Sequence, residues 1–192
     1  PRQPLEDREV TVSRVEATVT YPANFQLVAA MNPCPCGHFP DLARCRCTEG
    51  QITRYLQKIS GPLLDRIDLC VEASPVTYGD IRGGGENEAS GAIRARVEQA
   101  RDIQKERFME ENIGCNGEMA GRHIRKYCVL GKEEETFMEE IFEKLALSAR
   151  MHDRILKVAR TTADLAGASE IRLSDLCEAV SYVKSRRAIS CS

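Results

Sequence analysis

The chain has 192 residues, of which 42% are hydrophobic, 29% are charged and 5% are aromatic, and it contains no tryptophan. This composition is typical of a globular protein with one ordinary domain or two small ones. The net charge of −2 excludes an overall positive field, so any contact with a polyanion must depend on a local basic patch. No run of about 18 apolar residues is present, which argues against a membrane partner.

The N-terminal part of the chain predicts a mixed α/β segment. Residues 9–21 alternate β-branched and polar side chains around a short polar middle, which predicts a β-hairpin. Phe25–Met31 is a short apolar run typical of a strand buried on both faces of a parallel sheet, and Ile67–Ala73 predicts a second strand. Thr48 and Gln51 have the spacing of a capping box, which predicts that a helix begins there.

The composition changes near residue 75. Pro75 and Gly79 are followed by three consecutive glycines at 83–85, which predicts a linker. Everything after this linker has helical periodicity, and Ser174 is a suitable N-cap for the last helix. A mixed α/β part is therefore expected first and a helical bundle second. The predicted helices cover residues 89–112, 118–128, 132–147 and 148–165, and a last one starts at 174.

Four of the nine cysteines lie within the sixteen residues Asn32–Cys47. The odd total and the scatter of the other five favour a reducing cytoplasm over a secreted disulfide framework. In that compartment a dense cluster of thiols favours a metal site. Cys34 and Cys36 form one pair and Cys45 and Cys47 another, and four thiolates are the ligand set of tetrahedral structural zinc.

The spacing also leaves alternatives open. One residue between the cysteines of each pair is tighter than the two residues of a common zinc knuckle, so His38 is an alternative ligand. Unbound thiols and redox-active thiols are competing interpretations. Arg44 and Arg46 would offset part of the negative charge of a tetrathiolate site. The remaining cysteines are expected to be buried small hydrophobes or idle surface thiols; they are Cys70, Cys115, Cys128, Cys177 and Cys191.

Four segments, in chain order, read RQPLEDREVTVSR, FQLVAAMNPCPCG, GPLLDRIDL and LSARMHDRILKVARTTADL. Together they resemble the magnesium-chelatase-like AAA+ ATPases of the ComM/YifB type over nearly the whole chain. The resemblance implies an α/β fold in which residues 1–81 are the C-terminal half of an AAA+ core, with parallel-sheet strands, a β-hairpin and a Cys-rich loop at 33–48. Residues 82–192 would be an all-α helical lid.

The resemblance also implies that the chain is a portion of a longer protein. The phosphate-binding motif GxxxxGK followed by Ser or Thr (Walker A) is absent from this sequence, as is an apolar strand that ends in Asp-Glu (Walker B). The chain is therefore expected to be the C-terminal portion of an ATPase and inactive by itself. With part of the core sheet missing, a bare strand edge is also expected.

Roles for single residues follow from the same resemblance. Asn32 corresponds to sensor 1, which would orient the water that attacks the γ-phosphate. Arg66 corresponds to the arginine finger, whose guanidinium would stabilise charge on the nucleotide of a neighbouring subunit. Arg150 corresponds to sensor 2, and Arg154, one turn later, is the alternative for this contact with the phosphates.

From residue type alone, ordinary structural roles for these four residues also stay open. The amide at position 32 could simply end a strand and turn the chain. The arginine at position 66 could form an ordinary ion pair with Asp65 or Asp68. Arg150 and Arg154 could belong to a solvated helix face.

The function implied by the resemblance is that of an ATP-driven motor in a ring, expected to be a hexamer. ATP and Mg would be the cofactors of the full-length protein, and a structural zinc would hold the cysteine loop. The motor would remodel DNA, as in branch migration during transformation and recombination. The hairpin at 9–21 is a candidate for DNA contact, although Glu9 and Glu16 offset its Arg8 and Arg14. The alternatives are the motor subunit of a magnesium–porphyrin chelatase and a zinc-bearing interaction module without motor function.

Overall fold

The structure is a computed structural model, and it describes residues 3–64, 66–74, 76, 78–82 and 88–190. The described chain is rich in helices and contains one small antiparallel sheet. It divides into two compact units, one formed by residues 1–70 with 185–192 and the other by residues 71–184. Within the described ranges, no helix combines the length and the apolar character needed to cross a membrane.

The first unit begins with a short helix and the predicted hairpin. Helix α1 (Gln3–Asp7) precedes strand β1 (Glu9–Arg14), which pairs antiparallel with strand β2 (Ala17–Pro22). Val12 lies opposite Val19 in this register. The prediction of a hairpin is therefore confirmed, and its cause is local, because β-branched side chains alternate along both strands.

Hydroxyl groups link the two strands on one face of the hairpin. The Oγ1 atoms of Thr11 and Thr20 are 3.1 Å apart, and Ser13 Oγ lies 2.9 Å from Thr18 Oγ1. All of β2 is exposed, and so is β1 except for Val10, which is partly buried. Cross-strand pairs of this kind therefore contribute to holding the hairpin together.

The two apolar runs predicted as parallel-sheet strands are not strands in this structure. Residues 25–31 carry no strand pairing, and Val28 is 84% exposed. The second run likewise lacks strand pairing, and Val71 is 76% exposed although Cys70 is buried. The prediction of strands is wrong here because a strand needs a neighbour to satisfy its backbone N–H and C=O groups. Within the described residues, no such neighbour lies beside these two runs.

The helix predicted after the cysteine loop is present as α2 (Glu49–Leu56). Thr48 Oγ1 accepts a hydrogen bond from the Gln51 N–H at 3.3 Å, and Gln51 Oε1 accepts one from the Thr48 N–H at 2.9 Å. This reciprocal pair is a capping box, so that prediction is confirmed. A second short helix, α3 (Gly61–Leu64), follows.

The rest of the described chain contains a series of helices, as its periodicity predicts, although the helix predicted over 89–112 ends at Arg107. Gly83–Gly85 of the predicted linker lie outside the described residues. A 3₁₀ turn at Asn116–Glu118 interrupts the series. The helices are α4 (Tyr78–Arg82), α5 (Ser90–Arg107), α6 (Gly121–Tyr127), α7 (Lys132–Lys144), α8 (Ala149–Leu165) and α9 (Leu173–Ser190).

Helix α8 lies at the centre of the second unit. Helices α5 and α6 and the 3₁₀ turn all contact it. Ile155 and Ala159 are completely shielded from solvent, and they belong to the main hydrophobic core. Arg160 and Asp164 are also buried on α8, although both are charged residues.

The start of α8 offers a direct test of helix capping. Ser148 Oγ accepts a hydrogen bond from the Met151 N–H at 3.3 Å. We expect Ser148→Ala to lower the free energy of unfolding by about 1 kcal/mol, because one backbone donor of the first turn loses its partner. Urea unfolding followed by circular dichroism measures this change. Ser90→Ala is the matched control, since α5 has no side-chain cap, and an equal loss there would contradict the capping mechanism.

The start of α9 differs from the prediction. The helix begins at Leu173, one residue before the Ser174 that was predicted as its N-cap. Instead, Asp175 Oδ2 accepts a hydrogen bond from the Arg172 N–H at 2.8 Å. The prediction for Ser174 is therefore wrong, because a buried carboxylate in the first turn satisfies the backbone in its place.

Candidate functional site

Two turns bring the two pairs of cysteines together. The Gly37 N–H donates to the Cys34 carbonyl at 3.0 Å, and the Cys45 N–H donates to the Asp41 carbonyl at 2.7 Å. Gly37 has φ +81°, a left-handed conformation that glycine adopts without strain. The sequence of the loop therefore folds it back so that its second pair of thiols faces the first.

The four sulfur atoms are spaced as a metal site requires. Cys34 Sγ lies 3.3 Å from Cys36 Sγ and 3.8 Å from Cys45 Sγ, and Cys36 Sγ lies 3.6 Å from Cys45 Sγ. With Cys47, all four atoms lie within 4.8 Å of one another. Zinc–sulfur bonds of about 2.3 Å in a tetrahedron place the sulfurs about 3.8 Å apart. Among the described residues, the donor group contains these four thiols and not His38.

Backbone N–H groups point at the first pair of sulfurs. The amides of His38 and Arg46 hold the pKa of Cys36 down at about 6. Burial alone would raise the pKa of Cys34, but N–H groups, including that of Phe39 at 3.4 Å, outweigh it and lower the pKa below its usual value. These two thiols are therefore prepared to be thiolates, the form that binds metal.

The second pair of thiols behaves in the opposite way. Burial raises the pKa of Cys47 to about 12. The Cys47 amide lowers the pKa of Cys45, but burial and the neighbouring sulfurs outweigh it, and the net shift is upward. The charge of a divalent cation would be needed to deprotonate all four groups, and this donor set therefore fits a metal ion.

A small apolar cluster anchors the loop. Cys34 is completely buried and packs with Ile52 and Leu56 of α2, and Phe39 and Tyr55 are partly buried against them. A cluster of this size buries little apolar surface, so a bound metal would supply much of the loop's folding free energy.

The other cysteines are distributed as expected. Cys70 and Cys128 are buried, and burial raises the pKa of Cys128 to about 11. Cys115 is partly exposed and Cys177 is exposed. Cys191 lies outside the described residues.

The two catalytic candidates lie in the first unit. Asn32 is exposed and borders the cysteine loop, since a Cβ atom built on Gly37 would lie 3.7 Å from Asn32 Nδ2. Arg66 follows α3 and is half-buried, and its guanidinium donates a hydrogen bond to the carbonyl of Pro62. Asp65, a predicted alternative partner of this arginine, lies outside the described residues.

The two nucleotide-contact candidates lie in the second unit, on the first two turns of α8. Arg150 is exposed and Arg154 is half-buried. The first turn of α8 contains no acidic residue. Positive charge at a helix N-terminus opposes the helix dipole, whereas a bound anion there would be stabilised by both the dipole and the arginine. This end of α8 is therefore chemically suited to an anionic ligand.

The most extensive polar network of the second unit was not predicted from the sequence. Asp164 accepts hydrogen bonds from Arg107 at 2.5 and 2.7 Å, from Arg160 at 3.1 Å and from Asn116 at 2.7 Å. Arg160 also donates to the carbonyls of Ala168 and Ser169. The spacing of Arg160 and Asp164 along a helix was a usable signal, but Arg107 is 57 residues away from its partner.

Comparison with known proteins finds family matches over most of the chain. Residues 1–81 match the protein family described as Magnesium chelatase, subunit ChlI, and residues 87–183 match the family described as Magnesium chelatase, subunit ChlI C-terminal. Over 182 residues, the chain is 42% identical to competence protein ComM of Haemophilus influenzae and to YifB of Salmonella typhimurium, and 41% identical to YifB of Escherichia coli.

These alignments cover 94% of this chain and 35% of each relative. The chain thus spans about a third of the length of the curated relatives it matches. The two family regions follow each other in order along it, and the cysteine loop, Arg66 and the arginines of α8 lie inside them. The chain therefore belongs to the magnesium-chelatase-like AAA+ family of the ComM and YifB type.

Proposed function

We propose that the chain is the C-terminal portion of an ATP-dependent AAA+ motor that remodels DNA. The observation that carries this proposal is the match of both family regions, in order, along the chain. One relative is named a competence protein, which favours DNA over a porphyrin as the client. A magnesium–porphyrin chelatase subunit is the second candidate, because the family descriptions name that enzyme.

In this proposal, three side chains act on the triphosphate. Asn32 orients the attacking water, since an exposed amide can both donate to and accept from a water molecule. Arg66 reaches the nucleotide of the neighbouring subunit in a hexameric ring, where a permanently charged guanidinium stabilises the phosphoryl group in transfer. Arg150 contacts the phosphates held by its own subunit, with Arg154 as the alternative. Mg accompanies ATP in the full-length protein.

A structural zinc in the cysteine loop would support the same site. Asn32 precedes Cys34 by two residues, and its amide borders Gly37 of the loop. A metal bound by the four thiols would therefore hold the backbone next to Asn32 in one conformation. We assign the zinc a structural role because all four tetrahedral positions would be occupied by cysteines, which leaves none for a substrate.

ATP hydrolysis by a full-length relative, such as ComM of Haemophilus influenzae, tests the proposal. Alanine substitutions at the positions aligned with Arg66 and Arg150 are each expected to lower turnover at least about tenfold, because the negative charge that develops in the transition state loses a stabilising partner. The position aligned with Arg94, which is exposed on α5, is the control. Unchanged turnover in both variants would refute these roles.

Mixing the two variants tests the ring. If Arg66 acts on a neighbour and Arg150 on its own subunit, mixed rings contain some interfaces with both arginines intact, so turnover partly returns. A mixture that stays as inactive as its components would contradict action between subunits. Stimulation by branched DNA would support the DNA client, and stimulation by chelatase partner subunits would support the porphyrin alternative.

A further inference from the structure

A depression of about 500 Å³ lies beside the cysteine cluster. It is lined by Cys36, His38, Ala43, Arg44 and Arg46, and we name it the arginine pocket. Two arginines and one histidine thus line a single small depression. Apart from the thiol, Ala43 is the one apolar side chain among its lining residues.

The side chains of the two arginines in this pocket make no polar contact with the other described residues. In the part of the chain that the structure describes, the guanidinium groups of Arg44 and Arg46 have neither a hydrogen-bond nor an ion-pair partner. By contrast, Arg96 is paired with Glu88 at 2.7 Å. Asp41 of the same loop is bound to the backbone through its Oδ1, which accepts hydrogen bonds from the N–H groups of Ala43 and Arg44 at 3.0 and 3.3 Å.

The backbone that carries these arginines is held in place. The Arg44 N–H donates to the Asp41 carbonyl at 3.2 Å, and the N–H of Cys45, which lies between the two arginines, donates to the same carbonyl at 2.7 Å. Cys34 anchors the same loop in the apolar cluster with α2. Charged groups presented from an ordered loop lose less conformational entropy when they bind a ligand.

We infer that the arginine pocket binds the phosphate groups of a DNA backbone. Guanidinium groups donate paired hydrogen bonds to phosphate oxygens, and most contacts of proteins with DNA are of this kind. Since the chain carries a net charge of −2, a local patch is required for any such contact. The inference rests on the DNA client of the proposed function and locates one contact with it.

The lining of the pocket favours a phosphodiester backbone over a free nucleotide. A nucleotide site needs an apolar or aromatic wall for the base, and the pocket has no phenylalanine, tyrosine or tryptophan among its lining residues. A competing use of the arginines is to offset the negative charge of a metal–tetrathiolate centre, and the experiment must separate the two.

The test is fluorescence anisotropy with the full 192-residue chain and a labelled DNA duplex, titrated over a range of salt concentrations. Arg44→Gln with Arg46→Gln is expected to weaken binding about tenfold at about 50 mM salt and to reduce the slope of log K against log salt by about 2, since two phosphate contacts are lost. Arg94→Gln with Arg101→Gln removes the same charge from exposed positions of α5. Its changes in log K and in the salt slope should each be no more than about a third of those expected for the pocket variant.

Several outcomes would overturn the inference. The first is an equal loss in the α5 control, which would show a general charge effect. The second is displacement of the DNA by inorganic phosphate at a concentration equal to that of the phosphate groups in the DNA, which would show a free-phosphate site. The third is loss of zinc from the pocket variant, measured by elemental analysis, which would assign the arginines to the metal centre. The fourth is absence of DNA binding by the unmodified chain. None of these results bears on ATP hydrolysis by the full-length relative, which tests the proposed function separately.

Discussion

Cys34→Ser is expected to abolish zinc binding by the chain, whereas Cys177→Ser should leave it unchanged. Cys34 is one of four sulfurs within 4.8 Å of one another, and a serine hydroxyl is a poor zinc ligand at neutral pH. Cys177 is exposed on α9 and outside that group. Elemental analysis after purification without chelators, followed by hydrogen exchange of residues 32–58, measures the metal and the order of the loop.

A second variant separates ligation from packing. Cys34 packs against Ile52 and Leu56, so its replacement also disturbs the apolar cluster, but Cys36 is exposed. Cys36→Ser is therefore expected to abolish zinc binding in the same way as Cys34→Ser, with a smaller disturbance of the apolar cluster. If the fully reduced chain contains no zinc and its loop is still protected from hydrogen exchange, the proposal of a metal site is contradicted. The family assignment would not be affected.

The pH dependence of zinc binding should follow from the second pair of thiols. The pKa of Cys47 is raised to about 12, and that of Cys45 is raised as well. Zinc must displace protons from both, so its apparent affinity is expected to rise with pH through the neutral range.

Asp164→Asn is expected to lower the free energy of unfolding of the second unit by about 3–5 kcal/mol. The side chain of Asp164 is completely buried, and it pairs with Arg160 and with Arg107, which are 3% and 13% exposed at their side chains. The neutral amide would leave two positive charges without a counterion in a place that water reaches poorly. Urea unfolding, followed by the circular dichroism of the helices, measures the loss.

Asp102→Asn is the matched control for this substitution. Asp102 pairs with Lys105 at 2.7 Å, but both side chains are about 70% exposed, so the loss should stay within about 1 kcal/mol. If the two substitutions had equal effects, solvent would have to reach Asp164. The hydrogen bonds of Asp164 with Arg107 would then not be the contacts that hold α5 and α8 together.

The hairpin, the helices and the metal candidates could be predicted because their signals are local. Val12 and Val19 belong to strands only a turn apart, the Thr48–Gln51 box lies within one helical turn, and the paired cysteines lie in one loop. The parallel-sheet strands could not be predicted in the same way. Residues 25–31 have the composition of a buried strand, but pairing depends on a neighbouring segment and not on composition.

By itself, the sequence indicated the hairpin, the series of helices, the family and the grouping of four thiols in one loop. Each of these depends on residue types at short, regular separations, which fix periodicity, caps and turns. Only the tertiary structure decided that the four sulfurs lie within 4.8 Å of one another, that Arg44 and Arg46 line a common pocket, and that Arg107 meets Asp164. These features require atoms from distant or irregular segments to meet at hydrogen-bond distance, and that distance depends on how the whole chain packs.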